Sequence, residues 1–294
     1  MKIAVFIISV VFLLSCSSKK KDEKDDGQKT KKENTTLDLY NVESDEPSSI
    51  KLPEALTEIS GMTITPDGRL FAHGDEAGTI YQLDIKTGEV IKRFFLSKTG
   101  DAVIEADFED IAFANGKFYL LRSKGQILEF SEGENEQKIE YKKHTTKLTS
   151  ANDVEGMCYD DETNSMLMIC KGEPGEGYEG NRAIYSFSVQ TMALDEKPRI
   201  LIPLKEIKKH TVENQFAPSG IAKHPISKTF FIIAARGNTI IEISKTGEIL
   251  NQKDLPEKVH RQPEGIIFLK DNTLLISNEG RDQLARIFSY PMQK

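Results

Sequence analysis

LPEALTEISGMTITPDGRLFAHGDEAGTIYQLDIKTGEV, residues 52–90, is the stretch whose reading decides the fold. Within it a short phrase, EISGMTI at residues 58–64, is followed by the turn TPDG, the apolar run RLFAHGD, a Gly-containing turn, the alternating run GTIYQLD, the turn KTG and a last run, EVIKRFFLS. Apolar residues alternate with period two, and turn residues recur every eight to twelve positions, which is the pattern of short antiparallel strands. The phrase comes back as DFEDIAF (107–113), DVEGMCY (153–159), APSGIAK (217–223) and QPEGIIF (262–268). With Gly61, Asp110, Gly156, Gly220 and Gly265 as reference positions, the intervals are 49, 46, 64 and 45 residues. A period of that size is one four-stranded propeller blade.

The expected fold is therefore all-β, a five-bladed β-propeller, with six blades as the alternative. The long interval is explained by two insertions in blade three, the glycine-rich loop at 172–181 and the segment 203–218, where a short helix is expected. The two ends also match: Leu52-Pro53-Glu54 precedes Gly61 much as Leu255-Pro256-Glu257 precedes Gly265. That register makes residues 48–52 an outer strand. The last blade shows only three strands of its own, so the N-terminal strand is expected to complete it and close the ring without exposed edges.

The string at 52–90, with DFEDIAF, DVEGMCY and QPEGIIF after it, resembles the SdiA-regulated family of bacterial propellers over nearly all of residues 50–290. The likeness is weaker in blade four, where Ser219 stands in place of the acidic residue. It implies a five-bladed propeller distantly related to NHL-repeat proteins, tethered to a membrane, with a calcium site and no established activity.

In a propeller the inner strands begin around a central channel, so the residue before each reference position should face its counterparts. These are Ser60, Glu109, Glu155, Ser219 and Glu264. Side chains two apart share a strand face, which adds Glu58, Asp107, Asp153, Ala217 and Gln262. The second strands end at the same mouth with Asp75, Glu76, Ser123, Lys171, Arg236, Asn278 and Glu279. Converging carboxylates raise one another's pKa unless a cation sits among them, and hard oxygen ligands suit Ca²⁺ or Mg²⁺. Glu109, Glu155 and Glu264 are the first candidate ligands for Ca²⁺; Asp75 and Asn278 come second. The rival reading is a metal-free network in which Lys171 and Arg236 neutralise the acids.

Composition bounds the rest. The net charge of -7 and pI near 5.5 exclude the basic footprint of a nucleic-acid binder. The N-terminus has one early cation, Lys2, an apolar run from residue 3 to 14 and then Ser15-Cys16. That run is too short to span a bilayer, and its ending resembles the lipobox of bacterial lipoproteins. Residues 1–15 are read as a signal peptide and Cys16 as the lipidated residue of an outer-membrane lipoprotein of a Gram-negative envelope. Residues 17–36 carry almost no apolar side chains and form a disordered tether; the acidic cluster at 22–26 resembles the export signal of Bacteroidetes-type surface lipoproteins. Residues 37–294 form one domain, expected to be monomeric. Cys158 and Cys170 are expected to be buried thiols rather than a disulfide.

Three signals carry no chemistry. The G-x-G-x-x-G match at 175–180 lies between strands and opens no helix. His73, His144, His210, His224 and His260 lack zinc spacing, and no serine-nucleophile elbow is present. The functional expectation is a binding or scaffolding module with an unknown envelope partner or ligand. The alternative is a metal-dependent hydrolase of lactones, esters or phosphoesters, with Asp75 or Glu76 as base.

Overall fold

A computed structural model describes residues 35–98, 102–207 and 216–294. The signal segment, Cys16 and the tether to residue 34 lie outside the described residues, as do residues 208–215, which are half of the 203–218 insertion and include His210. What is described of that insertion begins with one 3-10 turn, Leu204–Glu206.

The first strand, β1 (Ser48–Lys51), does not belong to the first blade. Blade one runs β2 (Ile59–Ile64), β3 (Leu70–Gly74), β4 (Thr79–Leu83) and β5 (Val90–Leu96). Blade two runs β6 (Phe108–Ala114), β7 (Lys117–Arg122) and β8 (Ile127–Phe130); β9 (Lys138–Ile139) crosses to pair in parallel with β5, and β10 (Lys142–His144) completes the sheet. Blade three is β11 (Val154–Asp160), β12 (Ser165–Cys170) and β13 (Asn181–Ser188), whose outer edge is shared by β14 (Ala193–Leu194) and β15 (Ile200–Pro203). Blade four is β16 (Ala217–Lys223), β17 (Phe230–Arg236), β18 (Thr239–Ile243) and β19 (Ile249–Asp254). Blade five is β20 (Pro263–Phe268), β21 (Leu274–Asn278) and β22 (Arg286–Tyr290), completed by β1.

The ring thus has five blades rather than six and closes as the sequence implies. Ser48 stands opposite Ser289 and Lys51 opposite Arg286. Two backbone bonds finish the seam, Leu52 N–H to Ala285 O at 2.9 Å and Gly280 N–H to Thr57 O at 2.8 Å. β1 therefore covers the outer edge of β22, which would otherwise be free to pair with another chain.

The hydrophobic core is divided into five clusters, one between each pair of neighbouring blades. Phe71, Phe94, Phe108, Phe118 and Phe130 fill the junction of blades one and two with edge-on and stacked rings. The junction of blades three and four adds a charged tie: Lys223 on β16, its side chain 6% exposed, donates to Asp160 Oδ1 at 2.5 Å, and Arg199 reaches Asp160 Oδ2 at 3.1 Å. The junction of blades four and five is sealed by a strap not foreseen from the sequence. A 3-10 turn at Thr36–Leu39 leads into it, and Leu37, Tyr40 and Val42 are fully buried there. Tyr40 Oη donates to Asn272 O at 2.8 Å and so accepts from His224 Nε2–H at 2.9 Å. His224 Nδ1, which takes the Ser227 N–H at 3.1 Å, is then the unprotonated nitrogen.

The repeated glycine has a physical cause. A Cβ at Gly156 would stand 3.0 Å from Gly220 Cα in the next blade, and one at Gly220 would stand 2.5 Å from Glu264 O in the blade after it. At these two positions the inner strands approach too closely for a side chain. Cys170 faces Val154 and Cys158 faces Leu167 across the β11–β12 hairpin, so the two buried thiols are free and are not partners. Burial pushes the Cys170 thiol up to about 12. The glycine-rich loop that follows β12 is held by Tyr185 Oη, which donates to Pro174 O at 2.9 Å, and opens no helix.

Candidate functional site

Each blade carries the same irregularity at the same place. The pairing of the inner strand with its neighbour shifts between Ile59 and Gly61, Phe108 and Ile111, Val154 and Gly156, Pro218 and Gly220, and Pro263 and Ile266. The residues skipped by these shifts include all five expected channel residues: Ser60, Glu109, Glu155, Ser219 and Glu264. A β-bulge frees one residue from the ladder and re-aims its side chain. Five bulges in register thus release one residue per blade at the mouth. The sequence signal was present in the acidic or serine residue before each reference position; the bulge itself is a product of strand pairing.

The five freed residues are not equivalent. Ser219 Oγ donates to Pro263 O at 2.5 Å and ties blade four to blade five, and Ser60 is buried. The three glutamates carry charge into a poorly solvated ring. Burial, and then the charges of Glu155 and Asp107, push Glu109 up to about 9. Glu264 is held well above the ordinary glutamate range by burial first, with Glu279, Glu155 and Glu109 adding to it. Glu155 accepts from Lys171 Nζ, which also lies 3.3 Å from Asp153 Oδ2. Burial still outweighs the lysine, and the Glu155 pKa is raised.

The secondary candidates divide. Asp107 and Asp153 add their charge to Glu109 and share its mouth. Asp75, Glu58 and Glu76 instead line a separate cleft of about 170 Å³ with Thr57 and Tyr81. Asp75 is raised by burial and then by Glu58. Glu279 links the two acidic groups, since burial, Asp75 and Glu58 bring it to about 7 and it acts in turn on Glu264. Asn278 is buried with its amide Nδ2 donating to His260 Nδ1 at 3.0 Å, which leaves Asn278 Oδ1 without a partner. Arg236 and Lys171 line a further cleft of about 270 Å³ together with Glu155, Ser219, Gln262, Glu264 and Arg281.

Two residues of this region were not singled out from the sequence. Arg281 points into the mouth from a loop of varied length, where no repeat position marks it. Asp110 occupies the reference position that is glycine in the other four blades. Its Oδ2 accepts the Met157 N–H of blade three at 2.7 Å and its Oδ1 the Ile111 N–H at 2.8 Å. A carboxyl in a glycine slot was the available signal.

The donor chemistry suits a hard cation. The mouth offers carboxylate oxygens whose charge is unrelieved by their surroundings, whereas Asn278 lines a different cavity with Asp45, Arg261 and Phe288. Among the described residues no three acidic or imidazole side chains already converge at metal-holding distance.

These features define a five-bladed β-propeller with a charged axial mouth. Its residues 196–293 match the family model described as SdiA-regulated, which bears out over that stretch the resemblance drawn from the repeat phrases. No curated protein matches the chain. Among solved structures, a luciferin-regenerating enzyme superposes with TM-score 0.54 at 11% identity, covering 84% of this chain and 95% of that one. Glutaminyl cyclase from Myxococcus xanthus gives 0.53 at 11% identity, covering 84% and 94%. The PQQ-bound aldose sugar dehydrogenase from Streptomyces coelicolor gives 0.52 at 13% identity, covering 84% and 99%. At such identities the likeness shows the fold alone.

Proposed function

We propose that this protein is a cell-envelope binding module, anchored by a lipid on Cys16, whose axial mouth holds Ca²⁺ among Glu109, Glu155 and Glu264. The observation that supports it most is the set of bulges that frees one residue per blade, three of them glutamates that burial and mutual repulsion hold toward the protonated form. A carboxyl is costly to desolvate without a counter-charge, and such groups concentrate where they have a task. A divalent cation among them would restore their charge and relieve the repulsion. Glu155 would have to exchange Lys171 for the ion, while Glu109 and Glu264 have no ion-pair partner among the described residues.

Calorimetric titration of the full chain with Ca²⁺ tests the mouth. Glu264→Gln and Glu155→Gln should each weaken binding at least about tenfold, the loss of one charged ligand. Unchanged affinity in both variants would end the proposal. For the anchor, Cys16→Ser should move the protein from the membrane fraction to the soluble fraction, whereas deletion of 17–36 should change its location without preventing folding. The expected partners are the membrane, through that lipid, and an envelope ligand that docks at the mouth.

A further inference from the structure

The mouth is electrically lopsided. The inner strands contact one another in ring order, blade one touching blades two and five, so blade four lies across the axis from the junction of blades one and two. The charged residues of blades one and two on this side are acids: Asp107 and Glu109 at the mouth, and Glu58, Asp75 and Glu76 in the neighbouring cleft that Glu279 links to it. Blade four brings only a cation, Arg236, and its neighbours add Lys171 from blade three and Arg281 from blade five. These three cations line one cleft of about 270 Å³.

The three are differently committed. Lys171 is held by Glu155 and Asp153. Arg281 donates through Nε to Gln262 Oε1 at 2.7 Å, which leaves its terminal nitrogens unused by that bond, and it sits at φ 53°, a left-handed conformation that a residue with a Cβ adopts at an energetic cost. Arg236 is exposed and has no side-chain hydrogen bond or ion pair among the described residues. Two guanidinium groups in one concave site present the planar forks that match a carboxylate. On the same cleft wall stands Glu264, half-buried and without an ion pair among the described residues.

We propose that this cleft takes a small zwitterion of the amino-acid or short-peptide class. Its carboxylate lies between Arg236 and Arg281, beside Lys171, and its ammonium group sits over Glu264 on the acidic side. The ammonium supplies the positive charge and the carboxylate the partner that Glu264 and Arg236 do not find among the described residues. The dipole across the mouth fixes the orientation, because the reversed ligand would set each charge against its like. This inference goes beyond the cation reading and does not need the metal.

The test is calorimetric titration of the full chain with alanylalanine in EDTA, beside its N-acetyl and C-amide derivatives. The free dipeptide should bind, and each blocked form should bind at least about tenfold more weakly. Arg236→Gln should lower affinity for the free dipeptide about tenfold and leave that for the C-amide unchanged, because the amide has no carboxylate to lose. No heat at dipeptide concentrations of about 10 mM overturns the proposal, and so does equal binding of all three ligands. Ca²⁺ is titrated separately without dipeptide. Ca²⁺ binding lost while dipeptide binding persists refutes only the metal reading, and the converse refutes only this one.

Discussion

Occupation of the mouth by Ca²⁺ should be a proton exchange, and Glu109 sets its size. Burial and the neighbouring Glu155 hold its pKa at about 9, so near pH 7 only about one molecule in a hundred carries the charge a metal ligand needs. Ionising it there costs about 2.7 kcal/mol, two pKa units at 1.36 kcal/mol each. The apparent dissociation constant should therefore fall about tenfold for each pH unit between 6 and 8, and about one proton should leave per ion bound. Glu264, also raised, steepens the slope further if it too ionises. Calorimetry at pH 6, 7 and 8, in buffers of different ionisation enthalpy, reads both the affinity and the proton count. Glu109→Gln should lower the count by about one at pH 7. A Ca²⁺ affinity independent of pH, or a proton count that survives the substitution, would refute the reasoning. The same shift makes a stability statement for the metal-free protein. A carboxyl whose folded pKa lies above its unfolded value costs nothing below about pH 4.5, and its penalty grows as pH rises toward 9. Glu109→Gln should thus be neutral in acid and stabilising at pH 8, on the order of 1–3 kcal/mol after solvent screening, as chemical denaturation at the two pH values would show.

Three further outcomes follow from packing. Gly220→Ala would force a Cβ to 2.5 Å from Glu264 O; the cost should be about 2–3 kcal/mol, measured by urea midpoint, with the mouth distorted and Ca²⁺ binding weakened together. Tyr40→Ala removes a fully buried ring and the hydroxyl that joins His224 to Asn272, and should cost about 3–5 kcal/mol without changing affinity at the mouth, since the strap lies against blades four and five away from the axis. Lys223→Met leaves Asp160 buried with only Arg199 to offset it. Burial tends to raise the Asp160 pKa, but its bonds from Lys223 and Thr163 prevail and hold it low, so the wild-type tie is present at neutral pH and lost as pH falls through the carboxylate range. The variant should be less stable by about 3 kcal/mol at pH 7, with the difference shrinking in acid.

The architecture was legible because a propeller writes its period into the chain. Strand alternation and turn residues are local demands repeated five times, the crowded axial glycine recurs in four blades, and the closing strand could be placed because residues 52–54 echo residues 255–257. The strap was not legible. Leu37, Tyr40 and Val42 sit in a stretch with no periodicity, and only the groove between blades four and five makes them core. The site divided in the same way. Which residues face the axis followed from the phrase, and Ser60, Glu109, Glu155, Ser219 and Glu264 all fall at the register shifts. What each does there depends on neighbours that the folded ring supplies: Lys171, at the end of the next strand of the same blade, claims Glu155, Pro263 of blade five claims Ser219 of blade four, and Asp75 belongs to a different cleft from Glu264. Sequence by itself determined the repeat, the ring and its mouth, because these arise from pairings within a blade. Only the tertiary structure decided which carboxyls are left without a counter-charge among the described residues and that cations gather around blade four, because electrostatic partners are chosen in space, some within a blade, as Lys171 and Glu155 are, and others across blades, as Lys223 and Asp160 are.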